Sequence, residues 1–101
     1  YNGTYVEFFF TPTNCPACNL MINYLEAISK NYKVPIILRC ISNTDEDKRS
    51  CIENFGLDSY ESAIKRRDAL NITTIPTLVI NGTNKFEGYM DYKEIESLLK
   101  R

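Results

Sequence analysis

Cysteines are the residues of this chain whose chemistry is most readily predicted, and two of the four form a Cys-Pro-Ala-Cys motif, Cys15–Cys18. On the first turn of a helix, residues three apart lie about 5–6 Å from one another, a separation that a disulfide can bridge. Zinc sites use the same spacing, with thiolates as ligands. Because a helix N-terminus stabilises a thiolate, we expect the pKa of Cys15 to lie below its ordinary value. The motif therefore indicates either a redox pair or half of a zinc site.

The segments on either side of the motif favour the redox interpretation. A run of apolar and β-forming residues, Tyr5–Phe10, precedes it and predicts a buried strand. Pro16 suits the first position of a helix, and apolar residues at helical spacing continue to about Tyr32. On that helix Cys18 shares the apolar face, whereas Cys15 lies at the exposed tip. We therefore expect the two thiols to be inequivalent.

Length and composition limit the class of protein. The chain has 101 residues, 44% hydrophobic and 25% charged, which suits a single domain, 1–101, with one core. Its 12 basic and 13 acidic residues give a net charge of −1 and offer no basic excess for nucleic acid. No apolar run approaches the roughly 20 residues of a membrane span. Histidine is absent, which removes the commonest general base and metal ligand.

The middle of the chain predicts a strand followed by two helices. Val34–Ile41 is a second apolar run of strand type, ending near a cysteine. Thr44 and the acidic residues after it predict a helix start, and Gly56 predicts its end. The pattern Asp58-x-x-Glu61 resembles a capping arrangement for a further helix that reaches about Leu70.

The last third of the chain predicts a hairpin and a final helix. The apolar run Leu78–Ile80 is followed by Asn81-Gly82, a strong hairpin signal, and by a returning strand at Lys85–Glu87. Asp91-x-x-Glu94 then predicts a capping box. The element order is β-α-β-α-α-β-β-α, an α/β fold. Strands joined by helices must be parallel and the hairpin antiparallel, so we expect a mixed four-stranded sheet flanked by helices.

This order, with Cys-Pro-Ala-Cys after the first strand and Thr74-Ile75-Pro76-Thr77 before the third, resembles the thioredoxin superfamily. The similarity is greatest to the glutaredoxin-like domains of protein disulfide oxidoreductases. The resemblance implies a thioredoxin-like fold and a thiol–disulfide oxidoreductase that needs no cofactor. In this implied mechanism Cys15 attacks a substrate disulfide and Cys18 resolves the mixed disulfide. The resemblance also implies a cis bond before Pro76 and substrate docking against Thr74, Ile75 and Pro76. The implied partners are protein disulfides or dithiols and a redox partner protein, with the chain itself a monomer.

Two departures from the family pattern bear on mechanism. Phe9 occupies the position where thioredoxins have a buried Asp that assists proton transfer from the resolving thiol. Glu7 faces the same side of the strand as Phe9, so we expect it to be the substitute. Glutaredoxins hold glutathione with a Gly-Gly pair, but here Gly88 is followed by Tyr89 and Met90. This difference argues against glutathione as a partner.

The second pair of cysteines allows two interpretations. Cys40 ends a predicted strand, and Cys51 lies on the predicted inner face of a helix. Strand and helix are neighbours in the implied fold, so the two residues are either buried free thiols or a structural disulfide. A disulfide would favour an oxidising compartment, hence an extracytoplasmic or membrane-tethered location over a cytoplasmic one, or a hyperthermophilic source.

Two alternatives to a redox enzyme follow from the same residues. One is a non-enzymatic adaptor that keeps the fold for partner binding. The other is a structural zinc domain in which Cys15 and Cys18 join the second pair as ligands. Zinc is disfavoured because Cys40 lies beyond a long helix, and because Asn19 replaces the Gly that usually follows a zinc-knuckle motif. We therefore predict that the chain has no metal site.

Overall fold

A computed structural model describes residues 3–100; residues 1, 2 and 101 of the predicted domain lie outside this range. The elements follow the predicted order. In chain order they are β1 (Val6–Phe10), α1 (Pro16–Tyr32), β2 (Ile36–Cys40), α2 (Asp45–Phe55), α3 (Leu57–Leu70), β3 (Thr77–Ile80), β4 (Asn84–Glu87) and α4 (Tyr92–Leu99).

The four strands form the mixed sheet that the sequence predicts, in the order β2-β1-β3-β4. β1 is parallel to β2 and antiparallel to β3, and β4 is antiparallel to β3. The expectation that strands joined by helices are parallel holds for β1 and β2 but is wrong for β2 and β3, since two successive helices return the chain to the end of the sheet where β2 finished. In this register Phe10 lies opposite Cys40, and Phe9 lies opposite Thr77. The end of β1, the end of β2 and the start of β3 therefore meet at one end of the sheet. The cysteine motif, which follows β1, and Pro76, which precedes β3, lie at that end.

Helices cover both faces of the sheet, and β1 is therefore buried on both. Alternate residues of β1, among them Phe8 and Phe10, share one core cluster with the buried side of α1. On the other face Phe9 packs with Ala63 of α3. The residues that α1 buries have the predicted helical spacing: Cys18, Met21, Leu25 and Ile28. Within residues 3–100, none of the helices is long and apolar enough to cross a membrane.

β1, β3 and β4 each begin one residue from the predicted position, and two larger differences have a local reason. β2 is shorter than Val34–Ile41, because Pro35 has no backbone N–H to contribute to a strand ladder. The predicted cap at Asp58 is wrong. Gly56, at φ 90°, ends α2 by donating its N–H to the Ile52 carbonyl and also begins α3. Asp58 consequently lies inside the first turn of α3 rather than before it.

The other predicted helix starts are confirmed by their hydrogen bonds. Thr44 Oγ1 accepts from the backbone N–H of Asp47 at 3.1 Å, which caps α2. At α4 the capping box is complete: Asp91 Oδ1 accepts from the N–H of Glu94 at 2.9 Å, and Glu94 Oε1 accepts from the N–H of Asp91 at 3.1 Å. Such caps satisfy backbone donors that a helix start leaves unpaired.

Candidate redox site

Cys15 and Cys18 form a disulfide at the N-terminus of α1, with their Cα atoms 5.2 Å apart. Cys15 is the N-cap residue, and its Sγ accepts a hydrogen bond from the backbone N–H of Cys18 at 3.2 Å. Cys18 is fully buried, at 0% exposure, whereas Cys15 is half-buried at the edge of the same core cluster. The two cysteines therefore have different surroundings, and Cys15 is the more exposed of the two.

The segment before β3 lies at the same end of the sheet as this disulfide. The Ile75–Pro76 bond is cis, in agreement with the family resemblance. Pro76 is buried, and its carbonyl accepts from the N–H of Gly88 at 2.8 Å. Thr74 and Ile75 are half-buried, and the Thr74 hydroxyl donates to Glu87 at 3.1 Å. The predicted docking residues thus form a connected edge next to the start of β3.

Tyr89, one of the residues that replace the Gly-Gly pair, makes a contact with Tyr24 that the sequence analysis did not predict. Tyr89 directly follows Gly88, and its ring meets that of Tyr24 on α1 edge to face, with centroids 6.4 Å apart. Their hydroxyls lie 3.0 Å apart, and this hydrogen bond raises the pKa of Tyr89 to about 12. The contact joins α1 to the segment after β4. Tyr89 nevertheless remains 46% exposed, and the N–H of its neighbour Gly88 donates to the Pro76 carbonyl.

Glu7 is buried, at 1% exposure, and pairs with two arginines. Its carboxylate accepts from Arg66 of α3 at 2.7 and 3.0 Å and from Arg39 of β2 at 3.0 Å. Burial acts to raise the pKa of Glu7, but the hydrogen bonds and charges of Arg66 and Arg39 outweigh it and lower the pKa below its ordinary value. Arg66 in turn has a raised pKa because it donates to Glu7.

The position of Glu7 separates it from the resolving cysteine. Glu7 contacts α3, whereas Cys18 belongs to the core cluster on the opposite, α1 face of the sheet. A lowered pKa also makes a carboxylate a weaker proton acceptor. These observations favour an ion pair that joins β1, β2 and α3, and the proton-transfer role of Glu7 stays a prediction. A buried acid in an apolar strand indicates that it has basic partners. The sequence does not indicate which basic residues these are.

Cys40 and Cys51 form a second disulfide, with Cα atoms 5.5 Å apart. Cys40 is 2% exposed and Cys51 is 0% exposed. The bridge joins the end of β2 to α2. All four cysteines are thus in disulfides, which leaves no thiolate set for the zinc alternative in this state. Within residues 3–100, no group of three or more His, Cys, Asp or Glu side chains is arranged to hold a metal ion.

Asp47 is a second buried acid, and the sequence analysis treated it only as part of an acidic helix start. It is 3% exposed, and its carboxylate accepts from the hydroxyl of Thr13, two residues before Cys15. The other carboxylate oxygen accepts from the backbone N–H of Asn43 at 3.2 Å. An acidic residue in a first helical turn ordinarily indicates a surface position, so no feature of the sequence indicates this contact.

Comparison with known proteins identifies the fold. Neither a protein-family model nor a curated protein matches the sequence. A periplasmic thioredoxin-like protein from Salmonella enterica serovar Typhimurium matches with TM-score 0.69 and 14% identity, over 97% of this chain and 83% of that one. A linker-deletion variant of ScsC from Proteus mirabilis matches with TM-score 0.72 and 16% identity, over 96% of this chain and 68% of that one. An exposed lipoprotein thioredoxin from Streptococcus pneumoniae matches with TM-score 0.64 and 15% identity, over 96% of this chain and 83% of that one. At such identities the likeness establishes the fold, which is thioredoxin-like and here carries a C-x-x-C disulfide.

Proposed function

We propose that this protein is a thiol–disulfide oxidoreductase that exchanges disulfides with protein substrates through Cys15 and Cys18. One observation carries the proposal: the disulfide lies at a helix N-cap, with Cys15 half-buried and Cys18 fully buried. The N-cap position and the N–H of Cys18 stabilise negative charge on the sulfur of Cys15. The accessible cysteine is then the nucleophile, and the buried one closes the ring.

In the reducing direction, the Cys15 thiolate attacks one sulfur of a substrate disulfide. A bond forms between Cys15 and that sulfur, while the other substrate sulfur leaves as a thiolate. Cys18 then loses its proton and attacks the Cys15 sulfur, which forms the Cys15–Cys18 disulfide and releases the second substrate thiolate. Two electrons pass to the substrate. A dithiol of a redox partner protein restores the reduced pair, and the reverse sequence oxidises a substrate dithiol.

Substrate binding is proposed at the edge formed by Thr74, Ile75 and Pro76. Support comes from their place at the end of the sheet where the cysteine motif begins, and from the partial exposure of Thr74 and Ile75. An extended substrate segment docked there would bring its disulfide towards Cys15. The chemistry requires neither a metal nor a nucleotide.

Catalysis of insulin reduction by dithiothreitol tests this proposal. The wild-type protein should accelerate the appearance of reduced insulin chains, and Cys15→Ser and Cys18→Ser should each abolish turnover. Ser97→Ala, an exposed substitution on α4, is a surface control that should keep full activity. If the folded wild-type protein gives no acceleration, the proposal is wrong and the adaptor alternative is favoured.

A further inference from the structure

Asp47 is a buried acid to which the proposed chemistry assigns no role. Burial of a carboxylate is costly unless it is hydrogen-bonded, and both oxygens of Asp47 have partners. One partner, the backbone N–H of Asn43, belongs to the segment just before α2. The other, the Thr13 hydroxyl, belongs to the loop that leads to the redox pair. The side chain therefore ties α2 and the segment before it to Thr13, which lies 34 residues before Asp47 in the sequence.

The loop from Thr11 to Asn14 determines where Cys15 begins α1. Thr13 is separated from Cys15 by a single residue, Asn14, which has a left-handed backbone at φ 56°. The Thr11 hydroxyl donates to the carbonyl of Thr13 at 3.4 Å, so Thr13 is held within the loop as well as by α2. With Thr13 fixed, the backbone of Cys15 has little freedom.

The helix that carries Asp47 is itself fixed to the sheet. Cys51 lies one turn beyond Asp47 on α2 and is bonded to Cys40 at the end of β2. Cys40 lies opposite Phe10, the last residue of β1. Asp47 thus belongs to an element that is covalently joined to the end of the sheet from which the active-site loop departs.

We propose that Asp47 is a positioning residue for the redox pair, holding the Thr13 loop so that the Cys15 sulfur meets the backbone N–H of Cys18 at the N-cap of α1. The inference rests on the proposed function, because it assigns Asp47 a part in preparing Cys15 for thiol exchange. Asp47 itself does not touch the substrate. Loss of its bond to Thr13 frees the loop and weakens the contact that stabilises the Cys15 thiolate.

Paired variants test this role. Thr13→Val and Asp47→Ala each remove one side of the contact, whereas Thr13→Ser keeps the hydroxyl. Asp47→Asn can still face both partners, with its oxygen towards the N–H of Asn43 and its amide towards the Thr13 oxygen. After mild reduction of each protein, mass spectrometry follows iodoacetamide labelling of Cys15 over a range of pH.

Thr13→Val and Asp47→Ala should each slow labelling of Cys15 near neutral pH by roughly three- to tenfold, the range for one net hydrogen bond. Their double variant should be no slower than the slower single variant, since both changes remove one contact. Thr13→Ser and Asp47→Asn should stay near the wild-type rate. Tyr60→Phe, which removes a hydroxyl contact with Ser42 that does not involve the loop, is the matched control and should label at the wild-type rate.

The role of Asp47 is wrong if Thr13→Val and Asp47→Ala label Cys15 at the wild-type rate at every pH, whatever their stability. It is also wrong if the double variant labels Cys15 more slowly by the product of the two single-variant reductions in rate. Should Asp47→Ala not fold, the contrast between Thr13→Val and Thr13→Ser decides the question alone. Failure of the proposed function gives a different result: a wild-type protein that does not reduce insulin, independent of labelling rates in the variants.

Discussion

Cys15 and Cys18 are three residues apart, yet their positions on α1 give them different chemistry. Cys15 precedes the first helical residue, its sulfur accepts a backbone N–H, and the residue is half-buried. Cys18 lies one turn later on the face that packs against β1 and is fully buried. In the proposed function, a helix that begins between the two cysteines is what makes Cys15 the nucleophile and Cys18 the resolving thiol, without any charged neighbour in the motif.

This asymmetry predicts unequal labelling of the reduced protein. Near neutral pH, iodoacetamide should label Cys15 faster than Cys18 by about tenfold or more, which a free-energy difference of about 1.4 kcal/mol provides. In Cys18→Ser the backbone N–H of residue 18 is retained, so Cys15 should keep its fast rate. Peptide mass spectrometry at short labelling times measures both rates. Equal rates for the two thiols would contradict the assigned roles.

Glu7 gives a second prediction at the scale of single residues. Its folded pKa is lowered, so its contribution to stability is fully present above the ordinary carboxyl value of about 4.3. That contribution is lost as the pH falls through the lower, folded pKa. Glu7→Gln should reduce the free energy of unfolding by about 1–3 kcal/mol at pH 7, and the deficit should shrink towards pH 3.

Urea denaturation of wild type and Glu7→Gln between pH 3 and pH 7 measures this effect. Glu61→Gln changes an exposed carboxylate on α3 and should have little effect at either pH. A deficit for Glu7→Gln that is equally large at pH 3 and pH 7 would show that the ion pair with Arg39 and Arg66 does not stabilise the fold.

At the scale of elements, α2 connects the two disulfides. Thr44 caps its start, Asp47 in its first turn bonds to Thr13, and Cys51 bonds it to β2. Its outer surface is charged, and it buries few side chains, Asp47 and Cys51. A helix with so small a buried face depends on tertiary attachments rather than on its own propensity, and the Cys40–Cys51 disulfide is the strongest of those named here.

The double variant Cys40→Ala, Cys51→Ala tests this dependence. In the chain-entropy model a closed loop of about a dozen residues contributes about 3 kcal/mol to the free energy of unfolding, and the loss of buried sulfur atoms adds to the cost. Guanidinium denaturation should show that the free energy of unfolding falls by at least that amount. The Cys15–Cys18 disulfide closes a much shorter loop, so the double variant Cys15→Ala, Cys18→Ala should lose less unfolding free energy. An unchanged midpoint in the Cys40 and Cys51 variant would contradict the structural role of this bridge.

At the scale of the whole molecule, the order of elements followed from local signals. Pro16, Gly56, the Asn81-Gly82 turn and the capping box at Asp91 mark boundaries through their own backbone preferences, and the apolar spacing between them sets the element types. The mixed sheet was also expected, but the strand order was not predicted, and the direction of β3 differs from the expectation because two helices precede it. The redox pair was predictable for the same reason, since its spacing, its strand and its helix are contiguous.

Contacts between distant segments could not be predicted in this way. Glu7 and Arg66 are 59 residues apart, and the helical pattern of α3 does not distinguish Arg66, which reaches Glu7, from its neighbour Arg67. A rotation of about 100° separates neighbours on a helix, and the few apolar residues of α3 do not define its inner face that closely. Thr13 and Asp47 likewise carry no local sign of their contact, which depends on how α2 packs at the end of the sheet.

Capture of a mixed disulfide tests the central claim most directly. Reduced Cys18→Ser, which keeps the nucleophile but not the resolving thiol, is mixed with an oxidised protein substrate, quenched with acid and mapped by peptide mass spectrometry. The account predicts a substrate peptide bonded to Cys15, with Cys40 and Cys51 still bonded to each other, and no adduct in Cys15→Ser. Absence of the Cys15 adduct, or an adduct on Cys40 or Cys51 instead, would contradict it.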